Sequence, residues 1–199
     1  MSIQRSPAPS TEEKQKKSLL REASSLLLML LCAAALVFLL QAYVVQFIRV
    51  DGTSMTNTLQ NGEIMLISKL DHSYQRNDIV VCHYPNRLDG DINLGASLAL
   101  SRHTIFVKRL VALPGDTVAI TDGKLYVNGA IVPDPEYMGS APRDYPLRTL
   151  GEDEYFVIGD NRFSSHDSRA GDVGPIGLSM LRGKVKYVIW PLTGIRRVE

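Results

Sequence analysis

Three segments of this chain carry side chains whose types and spacing suit chemistry. The first is Val50–Leu59, VDGTSMTNTL, where Gly52 and small polar residues predict a turn that exposes backbone N–H groups, with Ser54 inside it. Serines in turns commonly do no more than hydrogen-bond locally, so this segment alone is weak evidence for a nucleophile. The second is Phe106–Val118, FVKRLVALPGDTV, in which Lys108 and Arg109 interrupt an apolar strand-like run. Strand side chains alternate, so Lys108 and Leu110 share one face and Val107 and Arg109 the other. One of the two bases therefore points where apolar neighbours point. One reading has both snorkel to water or pair at an edge; the other is a desolvated lysine, which loses its proton readily because burial disfavours the charged amine, and then serves as a base. The third is Tyr155–Ile176, YFVIGDNRFSSHDSRAGDVGPI: a strand running into Gly159-Asp160-Asn161-Arg162, then a loop with Ser164, Ser165, His166, Asp167, Ser168 and Arg169. The interleaved Asp and Arg suggest paired charges that fix the loop's shape.

The elements that must position these groups read as strands. Glu63–Ser68, Asp78–His83, Thr104–Ala112, Thr117–Thr121, Lys124–Val127, Glu154–Ile158 and Gly183–Ile189 are short and rich in Val and Ile. Asp122-Gly123 and Asn128-Gly129 are tight-turn signals that predict consecutive hairpins. After Ile48 no long amphipathic helix and no repeat of fixed period is evident. The expectation is a mainly β, antiparallel domain, barrel-like or a folded pair of sheets. Tyr84–Ser101 and Pro133–Leu150 lack a clear pattern and are expected to contain loops.

A different solvent is implied upstream. Ser25–Ile48, SLLLMLLCAAALVFLLQAYVVQFI, has no charge and as a helix reaches about 36 Å, enough to cross a hydrocarbon core. A buried core helix is seldom apolar on every face for so long, and a cleavable signal peptide has a shorter apolar region of about 7–15 residues. Arg5, Lys14, Lys16, Lys17 and Arg21 precede the run, whereas only Arg49 follows before Lys69. The positive-inside bias then places the N-terminus in the cytoplasm and the remainder on the outer face. The expected organisation is a disordered cytoplasmic tail over 1–24, a transmembrane helix over 25–48 and an external β domain over 49–199. Across the 199 residues, Lys+Arg 22 nearly balances Asp+Glu 21, which gives no global pull toward nucleic acid. Two cysteines, Cys32 and Cys82, make no disulfide framework, and the four scattered histidines with no CxxC or HExxH argue against structural zinc.

In order along the chain, these segments resemble the motifs of the type I signal peptidases, membrane-bound serine proteases with a Ser–Lys dyad. Ser54-Met55 with Thr58-Leu59 resembles the nucleophile box, Asp78–Val81 with Pro85 an intervening strand box, and Val107-Lys108-Arg109 with Leu113–Asp116 the general-base box. Gly159–Arg162 with Asp167-Ser168-Arg169 resembles the last box. Two departures stand out. Asn57 replaces the usual proline, which removes a fixed φ angle, and Gly52 stands where some members carry an oxyanion-binding serine. The latter, with the single span, resembles the compact Gram-positive type.

The resemblance implies removal of N-terminal signal peptides from exported preproteins that carry small residues before the cut, by an enzyme using no metal or organic cofactor. It implies Ser54 as nucleophile, neutral Lys108 as base, Ser165 orienting the lysine, and the Ser54 N–H in the oxyanion hole. Met55, Arg109, Asp160, Asp167 and Arg169 are implied as structural support. Expected partners are preproteins and membrane lipid, with no nucleic acid and no obligate protein partner. A repressor-type self-cleaving Ser–Lys protease, a serine protease based on His103 or His166, and a non-enzymatic surface-binding module are the rival readings.

Overall fold

The computed structural model describes residues 11–84, 105–133 and 141–198. It divides into a helical unit, ending at Tyr43, and a β unit from Val44 onward. Helix α1, Thr11–Tyr43, begins well inside the segment expected to be disordered, a correction to that expectation from Thr11 onward. Glu12 to Arg21 holds no Gly or Pro and many good helix formers, so the helix propagates backward from the apolar run. Its stretch Leu19–Tyr43, 25 residues, is long and apolar enough to cross a membrane.

The other end of the expected span is corrected too. The helix stops at Tyr43, and Val45–Arg49 forms strand β1 rather than a last helical turn. Hydropathy runs unbroken across this boundary and so hides it. Yet β-branched and aromatic residues cluster in VVQFI, and they pair antiparallel with β2 (Ile64–Ser68), Val45 opposite Ser68 and Arg49 opposite Ile64.

The remaining strands are β3 (Ile79–His83), β4 (Ile105–Ala112), β5 (Thr117–Thr121), β6 (Lys124–Val127), β7 (Ala130–Ile131), β8 (Tyr145–Thr149), β9 (Phe156–Ile158), β10 (Leu181–Trp190) and β11 (Arg196–Arg197). They build two antiparallel sheets, so the fold is mainly β, as expected. The larger runs β1-β2-β10-β3-β4-β9 with β11 added on β10, and the smaller runs β7-β6-β5-β8. Asp122, Gly123, Asn128 and Gly129 all have positive φ, the geometry that two-residue hairpin turns demand. Strand β8 lies inside the segment 133–150, expected from the sequence to contain loops and without a strand pattern there. Its residues after Tyr145 are exposed and Pro146 interrupts it, so it shows no buried alternation, and its pairing with β5 defines it instead. The loop expectation for 85–101 lies outside the described residues.

Packing links these sheets to the chemical segments. Met55 and Leu59 are buried in one cluster with Met65, Ile67, Ile79, Val81, Val185 and Val188, which seats the loop between β1 and β2 on the large sheet. Val80, Cys82, Leu110, Val157 and Ile176 form a second cluster under the β3–β4–β9 region. Phe156 and Ile158 of β9 pack with Val118, Ile120 and Leu125 of the small sheet.

Candidate active site

Lys108 sits in β4, paired opposite Val80 of β3, and is only 2% exposed. Strand β4 lies between β3 and β9 in the sheet; Lys108 pairs with Val80, and Arg109 pairs with both Ile79 and Ile158. The two bases meet different partners. Arg109 makes a two-pronged contact with the fully buried Asp160, Nε to Oδ1 at 2.9 Å and Nη2 to Oδ2 at 2.8 Å, and also donates to the Asn77 carbonyl. The Lys108 Nζ lies 2.6 Å from Ser54 Oγ. Among the described residues no carboxylate forms an ion pair with Lys108, and burial, the largest influence, lowers its pKa below the usual 10.5. The charges of Asp167 and Asp160 oppose that shift, and Arg169 reinforces it.

Ser54 is carried by the β1–β2 loop, which coils into a short helical turn after it: Thr58 N–H and Leu59 N–H both donate to the Met55 carbonyl, at 2.8 and 2.7 Å. The loop docks on the turn following β9. Asn161 N–H donates to the Ser54 carbonyl at 2.9 Å, its side-chain amide donates to the Thr53 carbonyl, and the Thr53 and Ser164 hydroxyls share a hydrogen bond. Met55 Sδ accepts from Asp160 N–H, and the Thr58 hydroxyl donates to Asp160 Oδ2. Asp160 thus joins the Ser54 loop to the strand that carries Lys108. Gly159 makes this approach possible, since a Cβ there would stand 2.6 Å from the Ser54 carbonyl oxygen and 2.2 Å from Ser165 Oγ.

Asp167 is buried, accepts from Gly159 N–H at 3.0 Å and pairs with Arg169 Nε and Nη2 at 2.7 and 2.8 Å. Burial alone would raise its pKa, but Arg169 foremost and the Gly159 N–H carry it below the ordinary carboxylate value. Arg169 also reaches the carbonyls of Arg162 and Ser165, so this pair fixes the whole loop.

Ser165 departs from the implied geometry. Its Oγ is buried without a well-formed hydrogen bond, so the contact with Lys108 is not made in this structure, although the hydroxyl lies close enough to Asp167 to help depress that carboxyl. His166 pairs with Asp172, Nε2 to Oδ2 at 2.9 Å, rather than with Ser54, and His103 lies outside the described residues. Thr58, Asn161 and Gly159 have no individual roles legible in the sequence. Their motif positions were the available signal, but their contacts appear only when the two loops meet.

A buried amine thus stands 2.6 Å from a serine hydroxyl on a mainly antiparallel β unit, and the comparisons lead to a class of serine peptidases. The chain belongs to the peptidase S26 family of signal peptidases, whose model matches residues 23–190, and it is a serine endopeptidase of the signal peptidase I kind. It is 34% identical over 177 residues to a signal peptidase I of Bacillus licheniformis, covering 82% of this chain and 87% of that one. It is 31% identical over 178 residues to signal peptidase I S of Bacillus subtilis, covering 82% and 87%. Among solved structures, it is similar to a signal peptidase I from Enterococcus faecalis V583, with 27% identity and a TM-score of 0.43 over 56% of this chain and 96% of that one.

Proposed function

We propose that this chain is a membrane-anchored endopeptidase that cuts signal peptides from exported preproteins through a Ser54–Lys108 dyad. The observation that carries the reading is the 2.6 Å approach of Lys108 Nζ to Ser54 Oγ at a site where the lysine is almost wholly buried. In its neutral form the amine accepts the serine proton while Oγ attacks the scissile carbonyl, giving a tetrahedral adduct. The protonated amine then gives that proton to the leaving amine, and a water activated in the same way releases the acyl group. The Ser54 N–H donates to no group among the described residues and is left to meet the oxyanion, a contact worth roughly 3 kcal/mol in such sites. Ser165, whose buried hydroxyl has no hydrogen-bond partner in this structure, is the residue we assign to orienting the lysine.

Helix α1 would hold the enzyme in the membrane with its N-terminus in the cytoplasm, supported by the basic residues before the apolar run and by Arg49 alone just after it. The substrate's signal sequence occupies the same membrane, so tethering raises the effective concentration of both. The test is cleavage of a preprotein by the purified full-length protein in detergent. Wild type cuts, and Ser54→Ala and Lys108→Ala each remove most activity while the β unit stays folded. A binding module shows no cleavage even as wild type, and a histidine-based enzyme survives loss of Lys108.

A further inference from the structure

The turn that carries Ser54 is held from outside by a residue at the far end of the chain. Arg196 Nη2 donates to the Thr58 carbonyl at 2.8 Å, four residues beyond the nucleophile. The same guanidinium grips Glu63 twice, Nη1 to Oε1 at 2.6 Å and Nη2 to Oε2 at 2.8 Å. Glu63 is itself buried at the end of the nucleophile loop, and its Oε2 accepts from Gln60 N–H at 2.9 Å. The arginine is placed by β11, where Arg196 pairs with Val188 of β10. Arginine suits this place, because its rigid planar fork holds a carboxylate in two bonds while also donating to a carbonyl, a geometry that lysine's single ammonium does not reproduce.

Thr58 is the point where two restraints meet. Its hydroxyl donates to Asp160, which pairs with Arg109 beside the base, and its carbonyl receives Arg196. A rotation of the turn about its contact with the Asp160 side would move Ser54 Oγ relative to Lys108 Nζ, and the Arg196 bond opposes that rotation. Position 57 is asparagine, so no proline ring stiffens the turn from within.

We infer that Arg196, supported by Glu63, is a positioning residue for the nucleophile: it fixes the Met55–Leu59 turn through the Thr58 carbonyl and so sets the Ser54–Lys108 approach. The inference rests on Ser54 and Lys108 being the dyad. A misplacement of about 1 Å in a reacting pair costs up to a hundredfold in rate, and loss of one of several restraints costs less. Arg196→Ala therefore lowers kcat about tenfold while KM for a preprotein changes less than about twofold. Arg196→Lys, which keeps the charge but not the fork, falls between wild type and Arg196→Ala. Glu63→Gln leaves the Thr58 contact possible and retains more activity than Arg196→Ala.

The measurement is steady-state cleavage of a purified preprotein by the full chain in detergent, at a temperature well below every variant's unfolding transition, with Ser54→Ala as control. Inactive wild type, or active Ser54→Ala, overturns the dyad reading itself. With that control in order, Arg196→Ala turnover within twofold of wild type overturns the positioning role and leaves a structural ion pair. An equal loss of kcat in Glu63→Gln and Arg196→Ala overturns the role of the Thr58 contact. If Arg196→Ala does not fold, Arg196→Lys decides by the same split between kcat and KM.

Discussion

Replacing Lys108 by an apolar residue is expected to remove activity and to raise stability. The amine is buried and its pKa lies lower in the folded protein than in the unfolded chain, so the folded state binds fewer protons. The resulting destabilisation is full below the folded-state pKa and fades as pH rises through it toward 10.5, the ordinary value. Lys108→Met is therefore inactive yet more resistant to denaturant than wild type at pH about 7, and the gap narrows at pH about 10. Denaturant midpoints at the two pH values check this, and a gap that widens with pH contradicts it. Cys82, on the neighbouring strand, has its thiol pushed up to about 12 by burial, so it stays protonated beside the lysine and offers no competing nucleophile.

At the scale of elements, the proposed dyad requires the Ser54 loop and the turn after β9 to meet at Gly159. A methyl group there would collide with the Ser54 carbonyl, a backbone atom that cannot rotate aside. Gly159→Ala is expected to cost about 1–3 kcal/mol of stability and to reduce cleavage roughly tenfold or more, read from thermal unfolding and turnover. Asp160→Ala leaves Arg109 buried without its carboxylate and is expected to cost about 3–5 kcal/mol, with unfolding at a markedly lower denaturant concentration. These contacts mark where reading the sequence stops. Strands β3 to β6 were legible because Val and Ile runs end in turn residues, and Ser54, Lys108 and the Asp–Arg pairs were legible through their motif spacing. Strand β1 was hidden inside an apolar run, and β8 lacked buried alternation because it is exposed. The bond from Thr58 to Asp160 joins residues 102 apart, and Arg196 lies outside every motif. Such pairings depend on the folded register of distant segments rather than on local composition. The Ser165–Lys108 contact was implied by resemblance, and it is absent from the geometry.

For the whole molecule, an apolar helix long enough to cross a membrane precedes the β unit, and the proposed function requires that the β unit face the side to which preproteins are exported. On cells stripped of any wall, added protease is expected to digest a tag placed after Glu199 and spare one at the N-terminus; the reverse pattern contradicts the proposed orientation. The central claim, that neutral Lys108 is the base for Ser54, is tested most directly by the pH dependence of preprotein cleavage by the full-length enzyme and its Lys108→Arg variant. The wild-type rate should climb with pH through one ionisation well below the free-lysine value, and the arginine variant, whose guanidinium stays charged, should be nearly inactive throughout. A profile governed by a group near about 6.5, and unchanged in the arginine variant, would instead make a histidine the base and contradict the account.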